Sequence, residues 1–165
     1  MIKTERQYQQ ARLKCQEGQE QLQHQIAGMK ERGYEDHEIE CLTGCTIRML
    51  DESRRAIDLY RRLKGKDPHA LGELPLNRQL IGLRIFLGLS QAKLAARLGI
   101  SRSEVARDEK NEYRGLTLER HQQLLEVMGL KLVPAYVEGD WQDAAVLREE
   151  LVQTASGKTA TVIIG

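Results

Sequence analysis

Apolar positions in the first third of the chain recur at the spacing of one helix packed against another. In the first half of this segment the repeat is seven residues, at Tyr8, Cys15, Leu22 and Met29. In the second half the steps alternate between three and four, at Ile39, Leu42, Thr46, Met49, Ser53, Ala56, Tyr60 and Leu63. Steps of this kind mark the seam of a coiled coil. With Gly33 as a helix-ending residue between the halves, the pattern predicts an antiparallel hairpin of two helices, residues 3–32 and 36–64.

Shorter amphipathic helices are predicted after this hairpin. Residues 65–75 are expected to be a linker, because Gly65 and Pro68 end the preceding helix. A helical stripe of leucines follows, at Leu76, Leu80, Leu83 and Leu87. Two further short runs then open on Ser90 and Ser101, a residue type that caps helix N-termini.

The two short runs meet at Gly99, which is expected to adopt a left-handed backbone. Glu104 stands three positions after Ser101, the spacing of a capping box. Val105 is the main apolar residue of the second run, so that run is expected to be held by one face only. Two short helices joined by a tight glycine turn form a helix-turn-helix, in which the second helix can present its open face to the DNA major groove.

The remaining segments complete a mainly α-helical fold. Thr117 is predicted to begin another helix, with four apolar residues turned inward: Leu118, Leu124, Leu125 and Met128. The segment 130–138 has the pattern of a short strand, confined to an edge by Pro134. The chain is therefore divided into a helical hairpin (1–64), a linker (65–75), a helix-turn-helix domain (76–130) and a C-terminal extension with a strand and a helix (131–165).

The excess of positive over negative charge is largest on the helix-turn-helix segment. The whole chain has a net charge of +1, which says nothing about its partners. Residues 76–133 hold ten Lys/Arg against six Asp/Glu, whereas residues 134–165 hold two against five. The positive segment has the sign that DNA binding requires. Three cysteines and no apolar run of membrane-spanning length favour a cytoplasmic protein with free thiols and no membrane contact.

Residues 76–129, about a third of the chain, resemble the phage-repressor (Cro-like, xenobiotic-response-element) helix-turn-helix family. The matching positions are Arg84, Gly88, Leu89, Ser90, Gln91, Leu94, Ala95, Leu98, Gly99, Ile100, Ser101 and Glu109. The resemblance implies a lambda-repressor-like fold that binds double-stranded DNA. Asp108 departs from the family, which often has an apolar residue at that position.

The resemblance also assigns roles to residues. Gln91 begins the helix whose N-terminus clamps a phosphate in the resembling proteins. Arg84 and Glu109 match a structural ion pair. The DNA-binding set implied in this way is Gln91, Ser101, Arg102, Ser103, Glu104, Arg107 and Lys110.

Three functions are compatible with this organisation. The first is a nucleoid-associated transcriptional repressor that binds an inverted repeat as a homodimer or higher even oligomer, joined through the hairpin or the 130–138 strand. The second is an antitoxin that neutralises a toxin through the hairpin or the C-terminal tail and represses its own promoter, as the resemblance to antitoxin-type regulators implies. The third is an architectural adaptor whose hairpin recruits another protein.

Metal and catalytic chemistry are weakly indicated. His37, Cys41 and Cys45 share a helical face, and with His24 they could bind zinc or sense redox changes. Because the usual closely spaced cysteine pair is absent, we expect reduced thiols, with no metal and no other cofactor. The "SGKT" at 156–159 lacks the earlier glycine of a phosphate-binding loop, and the chain is not expected to be an enzyme.

Overall fold

The computed structural model describes residues 1–131, which are mainly α-helical and contain no strand within that range. The helices are α1 (Glu5–Glu31), α2 (Asp36–Lys64), α3 (His69–Gly72), α4 (Leu76–Phe86), α5 (Gln91–Leu98), α6 (Arg102–Lys110) and α7 (Leu118–Val127). The chain separates into two compact units, Met1–Arg62 and the residues from Leu63 onward. From residue 132 onward, the predicted extension with its strand and helix lies outside the described residues.

The first unit consists of α1 and most of α2. The rings of Tyr8 and Tyr60 stack with centroids 5.0 Å apart, which places the start of α1 beside the end of α2. Near the middle of both helices, a Cβ built on Gly18 would lie 3.0 Å from Cδ2 of Leu50. These two pairs fix the direction of the helices, which run opposite to one another.

The buried side of α2 differs from the predicted seam. Ile39, Thr43 and Leu50 are buried, whereas Leu42 and Met49 are 57% and 64% exposed. Thr43 tolerates burial because its hydroxyl donates a 2.7 Å hydrogen bond to the carbonyl oxygen of Ile39. Ile39 and Tyr60 are buried as the seam predicts. The seam prediction is wrong at Leu42, Thr46 and Met49, which are exposed, because between those ends α2 turns Thr43 and Leu50 towards α1 instead.

The second unit begins with a segment that is more ordered than a linker. Residues 65–75 contain α3, and Ala70 and Leu74 are buried. A Cβ built on Gly82 of α4 would lie 2.3 Å from Cδ1 of Leu74, so glycine lets this segment pack closely on α4. The linker prediction did not include this packing, because Ala70, Leu71 and Leu74 in a Gly- and Pro-rich stretch are too few to give a periodic signal.

The rest of the second unit is built around apolar faces of α4 to α7. Its largest fully buried apolar side chains are Leu63, Ile81, Leu94, Val105, Leu124 and Leu125. Two leucines predicted to face inward are instead exposed, Leu76 at 44% and Leu118 at 62%. Both predictions are wrong for the same reason. Each leucine is the first residue of its helix, before the helix reaches the buried part of the unit.

Candidate nucleic-acid interface

The turn between α5 and α6 sets the direction of the second helix. Gly99 has φ 68° and ψ 26°, the left-handed conformation that an L side chain would strain. The Ile100 N–H donates to the carbonyl oxygen of Ala95 at 3.1 Å, which closes the end of α5. The chain therefore reverses within three residues and starts α6 at Arg102.

The N-terminus of α6 is held by a capping box, as the spacing of Ser101 and Glu104 predicted. The Ser101 Oγ accepts a 3.2 Å hydrogen bond from the Glu104 N–H, and the Glu104 Oε2 accepts a 2.8 Å bond from the Ser101 N–H. The hydrogen bonds from Ser101 hold the pKa of the Glu104 carboxyl below its usual range. The short helix is thereby locked at its first turn. Ser90 and Thr117 cap α5 and α7 with the side-chain hydrogen bond alone, accepting from the N–H groups of Lys93 and Arg120.

Replacing Ser101 with alanine is expected to lower the free energy of unfolding by about 1 kcal/mol, because the Glu104 N–H loses its acceptor. Ser101→Asp is the matched control, since aspartate caps as well as serine and should leave stability near that of the parent. Chemical denaturation followed by circular dichroism measures both.

Because the pKa of the Glu104 carboxyl is lowered in the folded state, the contribution of Glu104 to the free energy of unfolding is present at neutral pH. That contribution is lost as the pH falls through the lowered pKa.

The inner side of α6 is fixed by a buried carboxylate. Glu109 is fully buried, and its Oε1 accepts a hydrogen bond from Nε of Arg84 on α4, itself only 3% exposed. Glu109 Oε2 accepts from Nη2 of Arg84 at 3.0 Å and from Nε2 of Gln91 on α5 at 2.8 Å. The Arg84 Nη1 also donates to the Leu89 carbonyl oxygen at 2.7 Å. One carboxylate thus ties three helices together, and we call Arg84, Gln91 and Glu109 the buried triad.

Gln91 is brought into this triad rather than left on the surface. Its side chain is 8% exposed and its amide nitrogen is bonded to Glu109. The family resemblance assigned Gln91 to a phosphate contact and Arg84 with Glu109 to an ion pair. It did not predict that Gln91 would be hydrogen-bonded to that ion pair. The helix N-terminus at Gln91 still lies at the start of α5, so any phosphate contact there would involve backbone N–H groups.

The outer side of α6 is polar and positively charged. Arg102, Ser103, Arg107 and Lys110 are exposed, and Glu104 is half-buried with one oxygen tied to the cap. The Ser103 hydroxyl lies 2.8 Å from that of Ser101. We call the three cations Arg102, Arg107 and Lys110 the α6 cationic face. A short helix with a fixed inner side and this outer side can dock in an anionic groove.

Sequence reasoning missed the segment that follows α6. Glu112 and Tyr113 both have a left-handed backbone, with φ of 54° and 52°, which costs free energy in residues other than glycine. The Glu112 carboxylate accepts hydrogen bonds from Asn77 at 2.7 Å and Arg78 at 2.6 Å, both on α4. Neither residue type signals a left-handed conformation, so only these contacts reveal the constraint.

A buried tyrosine anchors the same segment. Tyr113 is 8% exposed, and burial together with the neighbouring Glu109 carboxylate raises the pKa of its hydroxyl. Its backbone N–H donates to the carbonyl oxygen of Asp108 at 2.9 Å. A surface depression beside it is lined by Arg78, Lys110, Asn111, Glu112 and Arg114. Arg78 of α4 and Arg114 of the loop therefore lie near the end of α6, where both pair with the Glu112 carboxylate, at 2.6 and 3.7 Å.

The candidate metal ligands are not assembled in the described part of the chain. His24, His37, Cys41 and Cys45 are exposed, whereas Cys15 is buried. Residues 1–131 contain no group of three or more His, Cys, Asp or Glu arranged to hold a metal ion. Within the same residues, no helix is both long enough and apolar enough to span a membrane.

Comparison with known proteins agrees with this geometry. Residues 83–134 match the protein-family model described as helix-turn-helix. No curated protein and no solved structure gives a significant match to the chain. The match spans α5, the Gly99 turn, α6 and α7. The chain therefore carries a helix-turn-helix domain, the class of DNA-binding module found in transcriptional regulators.

Proposed function

We propose that this protein is a transcriptional repressor that binds double-stranded DNA as a two-fold dimer and reads an inverted repeat with α6. The observation that carries the proposal is the α6 cationic face, presented by a helix whose inner side is fixed by the buried triad. Side chains on such a helix meet base edges in the major groove. The predicted DNA-facing set remains Ser101, Arg102, Ser103, Glu104, Arg107 and Lys110, together with Gln91 through backbone N–H groups at the start of α5.

Different parts of this set contribute differently to binding. Arg102 and Arg107 are arginines on the open side of α6, and arginine is the residue that most often makes a bidentate contact with guanine. Lys110 lies at the helix end beside Arg78 and Arg114, where contacts to phosphates would position the helix without reading sequence. We therefore assign base recognition to the first pair and backbone attraction to the second group.

The alternative function is an antitoxin that represses its own promoter. The observation in its favour is the apolar surface of the first unit, where Leu13, Leu42 and Met49 are more than half exposed and a toxin could cover them. Purification of a stoichiometric small protein with the chain from its native cells would support the antitoxin. In either case the proposed activity is binding in the cytoplasm, to DNA and, for the antitoxin, also to the toxin that it neutralises, with no catalytic step.

Selection of bound duplexes from a random DNA pool tests the main proposal. We expect enriched sequences to contain two inverted half-sites about one helical turn apart. Binding to the enriched duplex should weaken about 40-fold between 50 and 200 mM salt if three phosphates are neutralised, since each contributes a log–log slope of about −0.9. Enrichment of no sequence, or an affinity that salt does not change, would contradict the proposal.

A further inference from the structure

We infer that one face of the first unit is a self-association surface, on which a second copy of this chain packs to form a four-helix bundle. We call it the hairpin face, and it comprises the exposed residues Leu42, Cys45, Met49 and Glu52 of α2 with Lys14 of α1. The inference rests on the proposed two-fold reading of DNA for its symmetry. The residues that form the surface all lie in the first unit.

The α2 part of the hairpin face is an apolar strip with no cover from α1. Leu42 and Met49 are 57% and 64% exposed, and Cys45 between them is also exposed. Steps of three and four residues place the three side chains in one line on the helix. The strip lies to one side of the buried positions Thr43 and Leu50 that face α1.

The first unit needs such a cover because its own core is thin. Two helices of 27 and 29 residues enclose few fully apolar side chains, chiefly Cys15, Ile39, Leu50 and Tyr60. Helices in water draw most of their stability from packing an apolar face, so a hairpin with this core requires further burial. The strip of Leu42, Cys45 and Met49 is the surface on which a second hairpin can supply it.

Charge indicates how two copies fit together. A two-fold axis parallel to the helices lays α2 of each copy against α1 of the other at the level of the contacts within one chain, where Gly18 stands level with Leu50. Glu52 lies two residues beyond Leu50 and Lys14 lies four residues before Gly18, so the two side chains differ in level by about 3 Å and can form an ion pair between the copies. The opposite arrangement, α2 on α2 reversed, would set Glu38 against Glu52 and is disfavoured by like charge.

The test is sedimentation equilibrium of the full chain without DNA, over a dilution series from about 1 to about 50 µM protein. We expect the parent to sediment as a dimer and Leu42→Glu/Met49→Glu to sediment as a monomer, with the dimer dissociation constant raised at least about 100-fold. Leu13→Glu is the matched control, because Leu13 is 61% exposed on α1 but lies on the side away from the hairpin face. It should remain a dimer. Circular dichroism of each variant checks that the helices persist.

A charge reversal keeps the test decisive if the double glutamate variant unfolds. Lys14→Glu and Glu52→Lys should each weaken the dimer several-fold, and their combination should restore it. A monomeric parent, a dimeric Leu42→Glu/Met49→Glu, dissociation caused by Leu13→Glu, or no restoration by the combined reversal would overturn the inference. Since this assay contains no DNA, its failure is distinct from a failure of DNA binding, which the α6 variants report.

Discussion

Replacing Glu109 with alanine is expected to lower the free energy of unfolding of the helix-turn-helix unit by about 3–5 kcal/mol, because Arg84 would keep its charge in a buried site without its carboxylate. Domains of this size are stable by only about 5–15 kcal/mol, so much of the fold would be lost. Gln91 would lose its acceptor at the same time. Denaturant titration at neutral pH, followed by circular dichroism, measures the change.

Two controls separate the buried charge from the change of residue. Glu126→Ala removes an exposed glutamate from α7 and should change stability by less than about 0.5 kcal/mol. Glu109→Gln keeps the shape of the side chain but not its charge, and it should still be strongly destabilising because the buried Arg84 loses the negative charge of the Glu109 carboxylate. If Glu109→Gln were as stable as the parent, the ion pair would not be what holds α4 and α6 together.

Changing both Arg102 and Arg107 to alanine is expected to weaken binding to the selected DNA by at least about 30-fold, since each arginine contact to a base is worth about 1–3 kcal/mol. Each single variant should relax the preference at one base position of the half-site. Because both side chains are exposed, folding should be unaffected. Fluorescence anisotropy with the selected duplex and with single-base variants measures affinity and preference together.

Arg55→Ala removes one positive charge and is the matched control for each of the two single variants, Arg102→Ala and Arg107→Ala. Arg55 is an exposed arginine of α2, in the other unit of the chain, and its removal should leave the affinity for DNA within about two-fold. Unchanged affinity and preference in the Arg102→Ala/Arg107→Ala variant would remove α6 from the reading of DNA. Equal weakening by Arg55→Ala would show that total charge, and not the α6 cationic face, drives binding.

Local sequence signals were sufficient to predict the helix caps and the turn, where a single residue acts on the backbone close to it. Serine at positions 90 and 101, the glutamate three residues after Ser101, and Gly99 each act on the backbone within four residues. Caps and turns are local interactions, so their spacing in the sequence determines them. This is why the two short helices and the turn between them follow directly from the residue pattern.

The sequence was insufficient where distant segments decide the outcome. Leu42 and Met49 fit a coiled-coil seam by type, but the rotation of α2 depends on α1, where Gly18 allows close approach at Leu50. Gln91 looked like a surface residue until Glu109, 18 positions later, was placed beside it. The left-handed Glu112 likewise depends on Asn77 and Arg78, more than 30 residues earlier. Contacts of this range leave no mark on local periodicity.

The length of α6 limits how much information one copy can extract from a genome. Nine residues make a helix about 13.5 Å long. At 3.4 Å per base pair that length spans about four steps of duplex. A given sequence of four base pairs recurs by chance roughly once in a few hundred base pairs, among the millions of competing sites in a chromosome. Binding at a single site in the genome therefore requires several such four-base-pair sequences to be recognised at once, at a fixed distance from one another.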